Sequence, residues 1–256
     1  MKRDIKINFF MLMVSFCFFS SFHQQKIINK SGLAIIKITF RNNIKGSKIV
    51  FRDSTYTNPF NEKYTITKLR YYVTNLSVQK GPVSIKEENS YHLIDESIPE
   101  SQTINFSVPA GEYDAINFLL GVDSLHNVSG AQTGDLDPTK DMFWTWNTGY
   151  VMAKLEGNST SSKEVNNKFE FHIGGFSGPY NVLKQEHLNF PGNKSMNFSE
   201  DKTYEIIINA DINTWWQNPH DIKISDHPVI TTPGKNALAI SDNYANMFRV
   251  EKIISQ

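Results

Sequence analysis

The chain has 256 residues, and its 26 lysine and arginine residues balance its 26 aspartate and glutamate residues, so its formal net charge at pH 7 is zero. A chain without excess charge has no long-range attraction for nucleic acid or for an anionic membrane surface, and we expect neither as a partner. This length suits one large domain or two small ones. We expect a single domain over residues 26–256.

The first 25 residues have the layout of a secretory signal peptide. Basic residues at positions 2, 3 and 6 precede an apolar run from residue 7 to residue 19, which is too short to span a bilayer comfortably. The sequence therefore predicts export to the periplasm, the cell surface or the medium, with no membrane span after signal removal. A retained anchor helix is one alternative. Lipidation of Cys17 is another, although the bulky Phe16 before it is unfavourable for that processing.

Cys17 is also the only cysteine of the chain. If the first 25 residues are removed, the mature protein has neither disulfides nor thiolate ligands. Any metal ion must then be bound through nitrogen, oxygen or methionine sulfur.

Alternating apolar segments predict the fold class. In residues 36–40 apolar side chains alternate with polar ones, which is the period of a half-buried strand. The run 64–78 changes phase near Thr74 and Asn75, and this indicates a β-bulge. Further strands are predicted over residues 104–108, 116–120 and 204–212. The pattern is typical of an all-β protein, an antiparallel β-sandwich of Greek-key type with long loops and little helix, the one candidate helix lying near residues 237–248.

Residues 121–157 form the most unusual stretch, GVDSLHNVSGAQTGDLDPTKDMFWTWNTGYVMAKLEG. A loop rich in aspartate leads directly into a strand rich in aromatic residues. No secondary structure is predicted within the loop, and a long loop of this kind in a compact domain is usually functional or disordered. Its glycines and its Asp-Pro pair favour a loop of defined shape.

Several segments together resemble one protein family. They are GVDSLHN at 121–127, GDLDP at 134–138, MFWTWNTGY at 142–150, FHIGG at 171–175, YTITKLRYYVTNL at 64–76, VPAGEYDAINF at 108–118 and NYANMF at 243–248. In this order they cover most of the mature chain. They resemble the MbnP-like copper-binding proteins, secreted bacterial proteins related to methanobactin-associated and copper-repressible surface proteins. The resemblance implies a β-sandwich that binds copper outside the cytoplasm.

The resemblance also implies histidine ligands, and imidazole suits copper in a chain without thiolates. Two of the expected positions differ here. The family histidine that follows the asparagine matched by Asn127 corresponds to Val128. The early strand histidine has no counterpart, because Arg41 and Asn42 stand there and arginine stays protonated.

Four histidines are the predicted metal ligands. His172 is the first, because it lies in FHIGG, where the two following glycines let a ligand or another backbone approach. His126 could replace the missing loop histidine from two positions earlier. His92, in the short strand SYHLID, and His220, in WWQNPH, complete the set. The alternative for each is an ordinary strand or loop histidine that binds no metal.

Two tryptophans are candidates for modification. Members of the family can carry a tryptophan oxidised to kynurenine near copper, so the resemblance points to Trp144 and Trp146. Their alternation with Met142 on one strand face is also typical of a sandwich core.

The acidic loop predicts a rival site for calcium, which takes about six to eight oxygen ligands. Asp123, Asn127, Asp135, Asp137 and Asp141 could supply them if the loop folds back. Their spacing does not match an EF-hand. The alternative is that these side chains cap turns and bind loop backbone.

We therefore predict an exported, non-catalytic protein that scavenges, stores or delivers copper through histidine. Its partners would be the metal ion and a redox or copper-handling protein. Copper affinity should fall as the pH drops through about 6.5, because protonated imidazole cannot ligate. No nucleophile elbow, HExxH motif or phosphate-binding glycine loop indicates an enzyme.

The alternative function is an extracellular β-sandwich that recognises a carbohydrate or a protein. It would use the long loop, ordered by calcium, together with surface aromatic residues such as Trp215, Trp216 and Tyr180.

Overall fold

The computed structural model describes residues 32–145 and 148–256, with Thr145 described by its backbone alone. The predicted signal peptide, residues 1–25, lies outside the described residues. Strands dominate the rest. In chain order they are β1 (Leu33–Ile44), β2 (Ser47–Lys48), β3 (Tyr56–Thr57), β4 (Lys63–Lys80), β5 (Val83–Lys86), β6 (Tyr91–Asp95), β7 (Thr103–Pro109), β8 (Gly111–Tyr113), β9 (Ala115–Leu120), β10 (Phe143–Thr145), β11 (Gly149–Ser159), β12 (Lys168–Gly174), β13 (Lys184–Asn189), β14 (Met196–Phe198), β15 (Thr203–Asp211), β16 (Val229–Ile230) and β17 (Phe248–Ser255).

Helices are short and few, as the sequence predicts. The described residues contain the α-helices α1 (Ser124–Val128) and α2 (Lys235–Tyr244). Single turns of 3-10 helix cover Pro99–Gln102, Gly134–Leu136, Pro138–Lys140, Val165–Asn167, Gly178–Tyr180, Pro191–Asn193 and Ile212–Trp216. The candidate helix near residues 237–248 is confirmed as α2, which ends earlier because Phe248 begins β17. No helix in the described ranges has both the length and the apolar character that crossing a membrane requires.

The strands form two large sheets and a small ribbon of β8 and β14. The first sheet has the order β7, β1, β15, β17, with β2 beside the end of β1. The second has the order β13, β9, β4, β11, β12, β16, with β3, β5 and β6 paired to β4 and β10 paired to β11. The all-β class is confirmed. The antiparallel expectation is wrong for two pairs, because β1 runs parallel to β15 and β12 runs parallel to β16. Side chains alternate in the same way in both kinds of strand, so the sequence pattern does not reveal direction.

An aromatic core joins the two large sheets. Phe40 of β1 packs edge to face on Tyr71 of β4 and Phe118 of β9, with ring centroids 6.3 and 5.9 Å apart. Phe248 of β17 packs against Phe40 at 6.1 Å. Such pairs stabilise a core by about 0.5–1.5 kcal/mol each beyond their buried area. This contact of one sheet's inner face with the other confirms the sandwich.

The predicted bulge in the long strand β4 is confirmed. Asn75 has a φ of 53°, and the register between β4 and β9 shifts between Thr74 and Ser77. The extra residue turns the second half of β4, so that Leu76 and Val78 are buried although they are out of phase with the first half. This strand lies in the middle of the second sheet and carries the charged residues discussed below.

The stretch 121–157 contains more regular structure than the sequence predicts. It holds α1, two 3-10 turns, β10 and most of β11. The Asp123 side chain accepts a hydrogen bond from the backbone N–H of His126 and caps α1, and Asp137 accepts one from Thr139. These helices have too few residues for a hydrophobic period to show. The prediction of a long loop without secondary structure is therefore wrong.

The indoles of Trp215 and Trp216 are fully buried, so the prediction of surface recognition by these residues is wrong. Trp216 packs on Tyr64 with centroids 4.8 Å apart and donates Nε1–H to its hydroxyl at 3.1 Å. Trp215 packs on Tyr244 of α2 at 5.0 Å. The 3-10 turn that carries both indoles directs them inward. The sequence does not indicate this burial, because the residues that follow the turn are polar. Tyr180, by contrast, is 45% exposed.

Candidate functional site

The loop, the aromatic strand and the FHIGG strand meet at one place, which we name the motif corner: α1, β10, the start of β11 and the end of β12. Asn127, which is fully buried, holds it together. Its Nδ2 donates to the carbonyls of Val122 and Asp123 at 2.6 and 3.0 Å, and its Oδ1 accepts from the backbone N–H of Tyr150 at 2.8 Å. One side chain thus binds α1 to β11.

A glycine makes the close approach of α1 and β11 possible. A Cβ on Gly149 would lie 2.2 Å from Oδ1 of Asn127, and the φ of Gly149 is +74°, where side chains are strained. On the other side of α1, the hydroxyl of Ser124 donates to the carbonyl of Phe176 at 3.0 Å. The helix is therefore fixed to both β11 and the segment after β12.

Trp144 completes the motif corner. Its ring lies over Gly174, where a Cβ would come within 2.5 Å of the indole. Met142, predicted on the same strand face, is fully buried, whereas Trp144 is partly buried against the core. Trp146 lies outside the described residues. The modification of either tryptophan stays a prediction.

His126 is held at the motif corner by a carboxylate and a phenol. Its Nδ1 lies 3.0 Å from both carboxylate oxygens of Asp123 and 2.7 Å from the hydroxyl of Tyr91. The Tyr91 hydroxyl lies 2.6 Å from Oδ2 of Asp123, to which it donates. Since the carboxylate only accepts, Nδ1 carries the second proton of this cluster. The lone pair of the neutral imidazole is then on Nε2, which has no hydrogen-bond partner in the described part of the chain.

The charges of this cluster fix that arrangement. Burial opposes ionisation of Asp123, but hydrogen bonds from Tyr91 and His126 outweigh it and lower the pKa of the carboxyl. Burial and the neighbouring Asp123 raise the pKa of Tyr91, so the phenol keeps its proton. A carboxylate anion therefore faces Nδ1 of His126 at neutral pH.

His172 lies on β12 and pairs with a carboxylate of the neighbouring strand. Its Nε2 is 2.9 Å from Oε1 of Glu156, whose second oxygen lies 3.6 Å from Nζ of Lys68. Burial raises the pKa of Glu156, but the hydrogen bond from His172 and the charge of Lys68 outweigh it and lower that pKa. The arrangement gives His172 a hydrogen-bonded place in a row of charged residues on the sheet.

The other two predicted ligands have partners of their own. Nε2 of His92 lies 2.8 Å from Glu87, and Nε2 of His220 lies 3.0 Å from Asp242, which also binds Lys184. The fold does not bring the four predicted histidines together. Across residues 32–145 and 148–256, no three histidine, cysteine or acidic side chains are grouped so that they could hold a metal ion.

The residues of the predicted calcium loop also have separate partners. Asp135 binds Lys140 at 2.9 Å and accepts from the backbone N–H of Leu93 at 3.0 Å. Asp141 binds the ammonium groups of Lys68 and Lys154. Asp137 caps a turn, and Asp123 and Asn127 serve α1 as described above. Asp123, Asn127, Asp135 and Asp137 thus have the capping and backbone roles of the alternative interpretation, whereas the side chain of Asp141 forms ion pairs. Calcium binding stays a prediction.

Tyr91 is the member of the site that sequence reasoning missed. Its ring packs at a tilt of 42° against the imidazole of His126, with centroids 4.2 Å apart. Nothing in SYHLID marks a tyrosine as functional. Only the pairing of β6 with β4, which places residue 91 opposite Thr74 near the bulge, brings it to α1.

The fold and the motif corner define a class: a β-sandwich in which a short helix after a central strand presents a histidine that is oriented by an aspartate. The family model named MbnP matches residues 34–233. The chain belongs to the MbnP family.

A solved structure agrees with this assignment. The chain resembles MbnP from Methylosinus trichosporium with a TM-score of 0.52 and 12% sequence identity, over 77% of this chain and 80% of the other. At this identity the likeness establishes the shared fold. A search of curated proteins found no match.

Proposed function

We propose that the protein binds copper outside the cytoplasm without catalysing a reaction, and that it presents the metal at Nε2 of His126. The observation that carries this proposal is the pairing of His126 with Asp123. Histidines that bind metals commonly donate their second ring N–H to a carboxylate, which fixes the tautomer and raises the basicity of the ligating nitrogen. Asp123 is placed to do this for His126.

The other predicted histidines are less suited to this role. In His172, His92 and His220 the carboxylate faces Nε2, so a metal at that nitrogen would have to displace the hydrogen bond. The remaining Nδ1 is the ring nitrogen nearer to the main chain. We therefore propose His126, and not His172, as the main ligand.

Family membership supports copper as the metal, and imidazole is a suitable ligand for it. The position of His126 supports the motif corner as the place, because three of the segments that carry the family resemblance, 121–127, 142–150 and 171–175, meet there. With Nε2 of His126 as its protein ligand and Asp123 behind the ring at Nδ1, the site leaves coordination positions for water or for a ligand of another protein. Such an open site favours copper delivery over storage, with a copper-handling protein as the partner.

The test is copper content and affinity of the protein recovered from its exported fraction. His126→Ala should abolish near-stoichiometric copper, whereas His172→Ala, the matched control, should retain it. Asp123→Asn should bind copper about 10 to 100 times more weakly, because the loss of such a carboxylate partner typically costs that much. Copper that persists in His126→Ala, or is absent from the parent protein, would refute the proposal.

Export is part of the same proposal, and the charged start and apolar run of residues 1–25 support it. Cell fractionation with amino-terminal sequencing tests it. We expect the protein outside the cytoplasm and a new amino terminus near residue 26. A cytoplasmic protein that keeps its first residues would contradict export while leaving copper binding open to the separate assay.

A further inference from the structure

A cavity of about 510 Å³ lies on the second sheet, between β4, β6 and the 3-10 turns that precede β10. This is within the size range of small-molecule sites, about 300–1,000 Å³. Three cations line it, Lys68 and Arg70 from β4 and Lys140 from the turn, together with the carboxylates of Asp95, Asp135 and Asp141. Asp95 pairs with Arg70 and Asp135 with Lys140, whereas Lys68 and the buried Lys154 share Asp141. Leu93 and Ile98 add an apolar wall. None of these residues belongs to the motif corner.

Cations converge on one carboxylate at the rim of this cavity. Oδ2 of Asp141 lies 2.9 Å from Nζ of Lys68, 2.9 Å from Nζ of Lys154 and 4.0 Å from Nη1 of Arg70. The Lys154 side chain is only 3% exposed, so a buried ammonium group points at this position from below. Burial opposes ionisation of Asp141, but the two lysines outweigh it and lower its pKa to about 2. The surroundings therefore stabilise a negative charge.

Arg70 is held in place before any ligand arrives. Its Nε lies 2.7 Å from the buried carboxylate of Asp95, and its Nη1 donates to the carbonyl of Lys140 at 2.9 Å. Its Nη2 donates to no acceptor among the residues that the structure describes. A fixed guanidinium with a free edge is the group best suited to carboxylate and phosphate, because little side-chain entropy remains to be lost.

We propose that this cavity binds a small oxyanion, the carboxylate or phosphate group of a small organic molecule, and that Asp141 occupies the site in the free protein. Asp141 can yield its place because its side chain is 61% exposed, whereas Lys154 and Arg70 are fixed beneath it. The bound oxyanion contacts Lys68, Arg70 and Lys154, and an attached apolar group lies against Leu93. The site is independent of copper.

The experiment is titration of the full exported chain with inorganic phosphate and, separately, with butyrate, followed by amide chemical shifts in NMR spectra. Chloride keeps the ionic strength constant, so that general screening does not change. Both anions should shift the amides around β4 and the turn. Tighter binding of phosphate would indicate a ligand with a phosphate group, and tighter binding of butyrate would indicate a ligand with a carboxylate. Shifts spread over all surface lysines, or none, would refute the site.

Two variants sharpen the test. Asp141→Asn removes the internal competitor and should raise the affinity for either anion about fivefold, the effect of one surface ion pair of about 1 kcal/mol. Asp201→Asn is the matched control, because Asp201 is also exposed, has a φ of 57° and has no ion pair in the described residues. It should leave the affinity unchanged.

Lys140→Ala keeps the backbone carbonyl that orients Arg70, but it removes one cation of the lining and leaves the carboxylate of Asp135 without its ion pair. It should therefore lower the affinity for an anion. This variant still tests the proposal if Asp141→Asn disturbs the turn. Unchanged binding in both Asp141→Asn and Lys140→Ala, with the fold intact by circular dichroism, would overturn the proposal.

Discussion

Replacing Asn127 by alanine should destabilise the protein more than any surface change. The side chain satisfies the carbonyls of Val122 and Asp123 and the N–H of Tyr150, and the residue is fully buried. Each buried polar group left without a partner costs about 1–3 kcal/mol. The carbonyl of Asp123 keeps its hydrogen bond from the backbone N–H of residue 127, so two groups lose their partner, the Val122 carbonyl and the Tyr150 N–H. At the lower end for each group we expect a loss of about 2 kcal/mol.

Urea denaturation at pH 7 measures this loss as a lower midpoint with an unchanged slope. Asn197→Ala is the matched control, because Asn197 is exposed on β14, and its free energy of unfolding should change by less than about 0.5 kcal/mol. A loss below about 1 kcal/mol for Asn127→Ala would show that the motif corner is not held together by this side chain. It would also weaken the argument that places His126, since α1 depends on the same hydrogen bonds.

Three further predictions concern packing and titration. Gly174→Ala should cost about 1–3 kcal/mol and shift the fluorescence of Trp144, because the new Cβ would come within 2.5 Å of the indole; an unchanged spectrum and midpoint would contradict this contact. Burial raises the pKa of Glu186 to about 7, so the stability that its neutral form contributes is present below about pH 4.5 and lost as the pH rises through about 7. Glu186→Gln should flatten that decline in urea midpoints between pH 5 and 8, and an identical pH profile would exclude the effect. The pKa of Asp141 is lowered to about 2, so the stability that its ionised form contributes is present above about pH 4 and lost as the pH falls towards 2. In acid titrations followed by circular dichroism, Asp141→Asn should lose less stability than the parent over that range; equal losses would show that its lysine contacts contribute nothing.

Much of the sandwich follows from local patterns. The alternation of residues 36–40 predicts β1, and the change of phase at Asn75 predicts the bulge in β4, because each is a property of a few consecutive residues. Strand direction is different, since β1 and β15 would show the same alternation in either orientation. The burial of the Trp216 indole likewise cannot be predicted from local sequence. Its burial depends on Tyr64, a residue distant in sequence, and not on the polar residues that follow it.

The candidate site depends on pairings that the sequence does not contain. From the sequence alone, a strand histidine is the same candidate metal ligand whether its neighbour across the sheet is a carboxylate or a valine. The register of β11 with β12 places His172 beside Glu156, and the cap of α1 places His126 beside Asp123. Our proposal distinguishes these two histidines by the ring nitrogen that meets the carboxylate, and this depends on three-dimensional geometry alone.

The parallel pairing of β1 with β15 has a consequence for the order of folding. Partners in this pair, such as Ile35 and Thr203, lie far apart in the described chain, and β1 is an inner strand of its sheet. Contacts between residues so distant in sequence form slowly, because the loop must close before they contribute. β1, the first of the described strands to leave the ribosome, therefore waits until β15 and β17 have been synthesised before its sheet is complete.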